Sequence, residues 1–310
     1  MREIGNPLNL DQSGSPWISI ISLFLLVLGG TILFGFLLAM MFLLPMGFDS
    51  VEGIFQNISK DISPEVKVAL MIFQGSASVG GFILGPLVFL HFVAKIKPIT
   101  FFSIGRLDFK GVILTFLMVI LFMVVDAPII EWNQSLKFPD FLAEYEQMAL
   151  AKEVELAEIT EILTTFDSIG QFLLGVLVIA AIPAIGEEFL FRGIIQNYIL
   201  KMGKNYHLAI WIAALIFGAF HLQFYGLVPR ILLGALFGYL YVWSGSLWVA
   251  ILAHFINNGF TLLMSYMYQK GGVEYNIQNA TLPPVYMILL ALVFFIGLVY
   301  VFRKQYFAKT

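Results

Sequence analysis

The stretch FLLGVLVIAAIPAIGEEFLFRG, residues 172–193, begins as an apolar membrane-type helix and ends with three charged side chains. The 310-residue chain around it is 60% hydrophobic and only 12% charged. A soluble domain of this length has no means of hiding so much apolar surface, so lipid is the expected solvent. The sequence therefore predicts an all-α fold, a polytopic membrane helical bundle.

Apolar segments of the length needed to cross a bilayer recur along the chain and predict about eight transmembrane helices. These cover roughly residues 17–45, 67–94, 111–130, 169–200, 208–224, 230–243, 247–268 and 285–302. The longest polar segment, 131–168, predicts an acidic amphipathic surface helix after Pro139. We divide this single membrane domain into N-terminal spans with the connecting helix (1–168), a helical core that contains the charged stretch (169–268), and a last span with a basic tail (269–310).

Charge is distributed unequally between the loops. The acidic loops are 46–66 and 131–168, and the basic side chains of the other loops are Lys95, Lys97, Arg106, Lys110, Lys201, Lys204, Arg303, Lys304 and Lys309. With eight spans all the basic loops share one side, and the positive-inside rule places both termini in the cytoplasm. The Phe- and Ile-rich core, together with the absence of a eukaryotic retention signal, predicts a bacterial cytoplasmic membrane protein. A net charge of −3 gives no sign of nucleic-acid binding.

The charged end of the opening stretch needs a physical explanation, because a charge inside a transmembrane helix costs about 2.5–3.5 kcal/mol on insertion scales. Glu188 and Arg192 are four residues apart on one helix face and are expected to form a pair. Glu187 points about 100° away from that pair. We therefore predict that Glu188 and Arg192 support a site, or only fix helix packing, and that Glu187 is a candidate proton acceptor.

Two histidines lie inside other predicted spans. His221 ends the sequence FGAFH, residues 217–221, and His254 opens HFINN, residues 254–258, which places Asn258 on the same helix face. Glu187, His221, His254 and Asn258 thus come from three helices, and counting from the turns puts them at similar depth. We predict that these side chains line one buried, hydrated cavity.

This set of side chains suits hydrolysis. A carboxylate accepts a proton from water, the resulting hydroxide attacks a carbonyl, and His or Asn donors stabilise the oxyanion. We expect no obligatory cofactor or metal, with zinc held by Glu187, His221 and His254 as the alternative. The chain has no cysteine, so thiolate metal sites and disulfides are excluded.

EEFLFR, FGAFH and HFINN follow one another in the order E-E-x-x-x-R, F-x-x-x-H and H-x-x-x-N. In this the chain resembles the CPBP family (CAAX protease and bacteriocin-processing, or Abi, family) of intramembrane proteases, which includes the type II CAAX prenyl endopeptidases. The resemblance implies Glu187 as the catalytic base, His221 as a residue that positions water, and His254 with Asn258 as the oxyanion hole. Glu188 and Arg192 would support the site.

The resemblance also implies a peptide or lipidated-protein substrate, cleaved near its C-terminus and approached through membrane lipid. Two other interpretations fit an intramembrane polar cluster. One is a non-catalytic membrane immunity or binding protein, and the other is a transporter with an intramembrane carboxylate.

Overall fold

The computed structural model describes residues 16–46, 63–102, 107–274 and 282–307. Most of the predicted acidic loop 46–66 lies outside the described residues, as do Arg106 and Lys309. We number the longer helices in chain order as α1 Trp17–Met46, α2 Pro64–Ala94, α3 Phe109–Gln134, α4 Ala143–Thr164, α5 Ile169–Gly203, α6 Tyr206–Phe220, α7 Leu227–Ser244, α8 Leu247–Gln269 and α9 Val285–Tyr306. A four-residue helix, Ile99–Phe102, lies between α2 and α3.

Among the described residues, seven helices are long and apolar enough to cross a membrane. Large apolar side chains on their outer faces are exposed, with Trp17 at 64% and Val285 at 71%, as expected of surfaces that face lipid. The predicted all-α polytopic membrane bundle is confirmed. The division of the chain into three parts stays a prediction.

The fifth predicted span, 208–224, is shorter in the structure than in the prediction. Helix α6 has 15 residues and ends at Phe220, so it is only about 22 Å long, against a hydrocarbon core of about 30 Å. His221 terminates this helix and does not lie inside a longer one. The placement of the termini depends on whether α6 crosses the bilayer, so it stays a prediction.

Several helices begin at side chains that cap their first turn. Ser63, Asp108 and Ser168 each accept a hydrogen bond from the backbone N–H three residues ahead, at the starts of α2, α3 and α5. Asn205 accepts from two N–H groups at the start of α6. Caps of this kind stabilise a helix by about 1 kcal/mol each, so they define the helix boundaries in the polar regions.

Helix α8 lies at the centre of the C-terminal half, in contact with α3, α5 and α7. Helix α6 packs along α7, and α3 packs along α9. Helix α5 contains two π-helical segments, Val176–Ala181 and Phe189–Ile195, on either side of the α-helical segment Ile182–Glu188. Glu187 and Glu188 thus end an α-helical segment, and a π-helical segment follows them. Short π-helical segments are often found at functional sites.

The predicted surface helix is present as α4, preceded by a 3₁₀ turn, Asp140–Leu142, and its amphipathic character stays a prediction. The apolar side chains Tyr145 and Met148 of α4 are exposed, at 62% and 69%, as is Phe141 of the 3₁₀ turn, at 82%. The helix contacts the bundle through Glu153, which accepts hydrogen bonds from Gln223 and from the Tyr225 backbone.

Candidate functional site

Glu188 and Arg192 form a fully buried ion pair. Arg192 Nη1 donates to Glu188 Oε1 at 2.7 Å, and the two residues are 1% and 0% exposed. Arg192 Nη2 donates to the Gly234 carbonyl at 2.8 Å, and the guanidinium lies over the Phe217 ring, 4.7 Å from its centroid. The predicted i,i+4 pair is therefore present, and the backbone of α7 and an aromatic ring of α6 complete its surroundings.

His254 shares the carboxylate of this pair. Its Nδ1 lies 2.8 Å from Glu188 Oε1, and its ring stacks on Phe237 at a centroid distance of 5.2 Å. Because an ionised carboxylate only accepts, the Nδ1 position carries the proton and donates it. Glu188 therefore fixes both the tautomer and the orientation of the imidazole. The sequence did not predict this contact, which joins residues 66 positions apart.

Glu187 is the acid that remains unpaired. Its Oε2 atom is buried and has no hydrogen-bond partner among the described residues, although the side chain as a whole is 13% exposed. The same atom lies 4.0 Å from His254 Nε2. That separation is too long for a hydrogen bond but allows one water molecule to bond to both atoms. Glu188 is thus bonded to Arg192 and His254, whereas Glu187 Oε2 has no hydrogen-bond partner among the described residues.

His221 follows the last residue of α6, where its Nδ1 lies 2.9 Å from the Phe217 carbonyl. A carbonyl only accepts, so Nδ1 is again the protonated nitrogen and Nε2 is left for water or substrate. The Phe217 ring is 5.0 Å from the His221 ring and 6.1 Å from the His254 ring, with edge-to-face geometry in both cases. Both imidazoles therefore border one aromatic side chain of α6.

Asn258 lies one helical turn beyond His254 and bonds to α5. Its Nδ2 donates to the Ile179 carbonyl at 3.2 Å, and its Oδ1 accepts from Asn257. Ile179 precedes Pro183 by four residues, and proline has no N–H to offer this carbonyl. Asn258 thus gives this carbonyl a donor where the proline supplies none at the i+4 position, and its amide keeps a second N–H for another acceptor.

Zinc held by Glu187, His221 and His254 is the metal alternative. Within the part of the chain that the structure describes, no three His, Asp or Glu side chains are grouped closely enough to hold a metal ion. In both His221 and His254 the Nδ1 atom is bonded to an oxygen acceptor, so Nε2 is the nitrogen left for another partner. We therefore derive no chemical step through a metal.

Sequence reasoning missed a polar chain beside the site. Arg230 Nη2 donates to Gln223 Oε1 at 2.5 Å, and Gln223 Nε2 donates to Glu153 of α4 at 3.0 Å. This chain connects the surface helix to the loop after His221. The signal that could have revealed it is Arg230 itself, a charged residue at the start of the predicted span 230–243.

Comparison with known proteins finds a family match for the same region. Residues 169–260, which contain all three motifs, match the family described as type II CAAX prenyl endopeptidase Rce1-like. The predicted family resemblance is confirmed. We call residues 169–260 the Rce1-like region.

A stretch of 85 residues is 32% identical to Uncharacterized protein YpbD of Bacillus subtilis (strain 168). The aligned part covers 26% of this chain and 40% of that protein, so the chain spans less than half of that relative's length. No solved structure matches the chain.

Proposed function

We propose that the protein is an intramembrane endopeptidase that hydrolyses a peptide bond with water activated by Glu187. The observation that carries this proposal is the buried, unpaired Oε2 of Glu187, 4.0 Å from His254 Nε2. The Rce1-like region supports a protease of the CAAX type. Glutamate as the base and the identity of the substrate are our own inferences.

In the proposed reaction a water molecule binds between Glu187 Oε2 and His254 Nε2. Glu187 takes a proton from the water as its oxygen attacks the peptide carbonyl carbon. The tetrahedral intermediate then collapses, the C–N bond breaks, and the proton held by Glu187 passes to the leaving amine. The products are a carboxylic acid and an amine, with one water consumed.

Charge on the attacked carbonyl oxygen needs preorganised donors. We assign this role to the second amide N–H of Asn258 and to His254, which donates to the oxygen when Nε2 carries a proton. Glu188 supports His254 by accepting the Nδ1 proton, and the ion pair with Arg192 holds Glu188 in place. His221, through Nε2, is proposed to position the attacking water. No obligatory metal is proposed.

A lipidated peptide is the substrate class that we favour. An apolar groove of about 560 Å³ lies between α1 and α2, and Phe82 and Phe220 form part of its lining. Phe220 directly precedes His221, and Phe82 packs against Gly186, the residue before Glu187. An apolar chain bound in this groove would therefore end close to the proposed catalytic residues. The peptide would approach from lipid in a bacterial cytoplasmic membrane, with both protein termini in the cytoplasm.

The experiment that tests this function compares purified variants reconstituted in liposomes with a farnesylated peptide substrate. Glu187→Ala and His254→Ala are expected to abolish cleavage while the proteins remain folded by circular dichroism. Glu158→Ala, which changes an exposed glutamate of α4, serves as the matched control and retains cleavage. Undiminished cleavage by Glu187→Ala would contradict the proposal.

The two other interpretations make different predictions for the same variants. An immunity or binding protein would keep its protective effect in a cell-survival assay after Glu187→Gln. A transporter would show solute uptake into sealed vesicles that depends on Glu187. Either result, combined with no peptide cleavage by the unmodified protein, would replace the protease proposal.

A further inference from the structure

Arg230, in the first turn of α7, is a cation that the proposed hydrolysis does not use. Its Nη1 atom is buried and has no hydrogen-bond partner among the described residues. Nη2 is satisfied by Gln223 at 2.5 Å. A buried guanidinium nitrogen without an acceptor is costly, so a site of this kind is explained best by an acceptor that arrives with a ligand.

The loop between α6 and α7 is built around this guanidinium. Leu222 has a left-handed backbone, with φ of 54°, which turns the chain directly after His221 and leads into Gln223. A Cβ atom on Gly226 would lie only 1.9 Å from Arg230 Nη1, so a side chain at this position would displace the guanidinium. Glu153 of α4 fixes the other end of Gln223. The guanidinium is therefore held in one place by elements from two helices and the loop.

The charge of Arg230 is not neutralised by direct contact. In the described parts of the chain, no carboxylate lies within ion-pair distance of it. It is nevertheless close enough to Glu187 and His221 for its charge to act on both. An arginine with an unused N–H, set beside the residues proposed to cleave a peptide, has the chemistry that recognises a carboxylate.

We propose that Arg230 binds the free α-carboxylate at the C-terminus of the peptide substrate and so makes the enzyme select bonds near a chain end. This rests on the proposed protease function. Nη1 would donate to the carboxylate while Gln223 holds Nη2 and orients the planar group. A phospholipid phosphate is the other anion available in a membrane, but the burial of Nη1 next to the site favours the peptide terminus.

The test uses two farnesylated peptides that differ only in a free or an amidated C-terminus. We expect kcat/KM of the unmodified protein to favour the carboxylate peptide by about 10- to 100-fold, the range for a charge-assisted hydrogen bond. Arg230→Gln is expected to reduce this preference to about twofold or less, mainly through KM. Arg303→Gln, which changes an arginine in the last turn of α9, is the control and keeps the preference.

A binding measurement separates this proposal from the protease proposal. Fluorescence anisotropy with the Glu187→Gln protein in dodecyl maltoside micelles should show tighter binding of the carboxylate peptide, and the added Arg230→Gln change should remove the difference. This outcome supports the role of Arg230 even if no peptide is cleaved. Equal binding of both peptides, or an equal loss of kcat for both in Arg230→Gln, would overturn the proposal. Competition by phosphatidylglycerol but not by the peptide carboxylate would also overturn it.

Discussion

Arg192→Met is expected to destabilise the folded protein by about 3–5 kcal/mol, the usual result of removing one partner from a buried ion pair. The substitution removes the 2.7 Å bond to Glu188 and the 2.8 Å bond to the Gly234 carbonyl. Glu188, which is 0% exposed, would keep its charge with only the His254 N–H as partner. Methionine preserves most of the apolar volume, so the loss reports on the charge and its hydrogen bonds and not on a cavity.

The measurement is unfolding by sodium dodecyl sulfate in mixed micelles, followed through the fluorescence of the five tryptophans. The double variant Glu188→Leu/Arg192→Met should be less destabilised than Arg192→Met alone, because no unpaired charge remains buried. Lys152→Met is the matched control. It breaks an exposed i,i+3 pair of 2.9 Å and should cost less than about 1 kcal/mol. The reasoning would be refuted if Arg192→Met lowered the free energy of unfolding as little as the control does. It would also be refuted if the double variant lost the sum of the two single-variant losses.

Three further predictions concern other parts of the structure. Asn258→Ala should lower the free energy of unfolding by about 1–3 kcal/mol, because it leaves the Ile179 carbonyl without this donor. Adding Pro183→Ala should recover part of that loss by restoring a backbone donor. No recovery in the same unfolding assay would count against the assigned bond. The hydrogen bond from Tyr306, with a second from a backbone amide, lowers the pKa of Asp108. The ionised Asp108 carboxylate therefore stabilises the fold above the ordinary aspartate pKa of about 3.9, and this stabilisation is lost as pH falls through the pKa of Asp108 in the folded protein. Asp108→Asn should therefore differ from the unmodified protein at neutral pH and converge with it in acid, and a gap independent of pH would be contrary evidence. Cleavage should persist in 1,10-phenanthroline, with elemental analysis showing no stoichiometric zinc, whereas bound zinc together with inhibition would restore the metal alternative.

The sequence predicted those parts of the site that depend on spacing within one helix. Glu188 and Arg192 are four residues apart and do pair, and Glu187 Oε2 has no hydrogen-bond partner among the described residues. The bond between His254 and Glu188 depends on how α8 packs against α5, and no local pattern reports that packing. The same holds for Asn258, whose bond to the Ile179 carbonyl also depends on how α8 packs against α5.

The lengths and regularity of the helices were predicted less well. Hydropathy extended the fifth span to residue 224, whereas α6 ends at Phe220 because the chain turns at His221 and Leu222. The π-helical segments of α5 have no signature in apolar periodicity, and so they were not anticipated. Arg230 was overlooked because the span was read from its apolar residues, although a charge at its edge was the useful signal.

The central claim is that Glu187 is the base that activates water, and the most direct measurement is the single-turnover cleavage rate of Glu187→Gln. Glutamine keeps the size of the side chain and removes its ability to accept a proton as a carboxylate does. The account predicts a rate at least about 100-fold below that of the unmodified protein, with peptide affinity and unfolding free energy little changed. A Glu187→Gln protein that cleaves within a few-fold of the normal rate would contradict it.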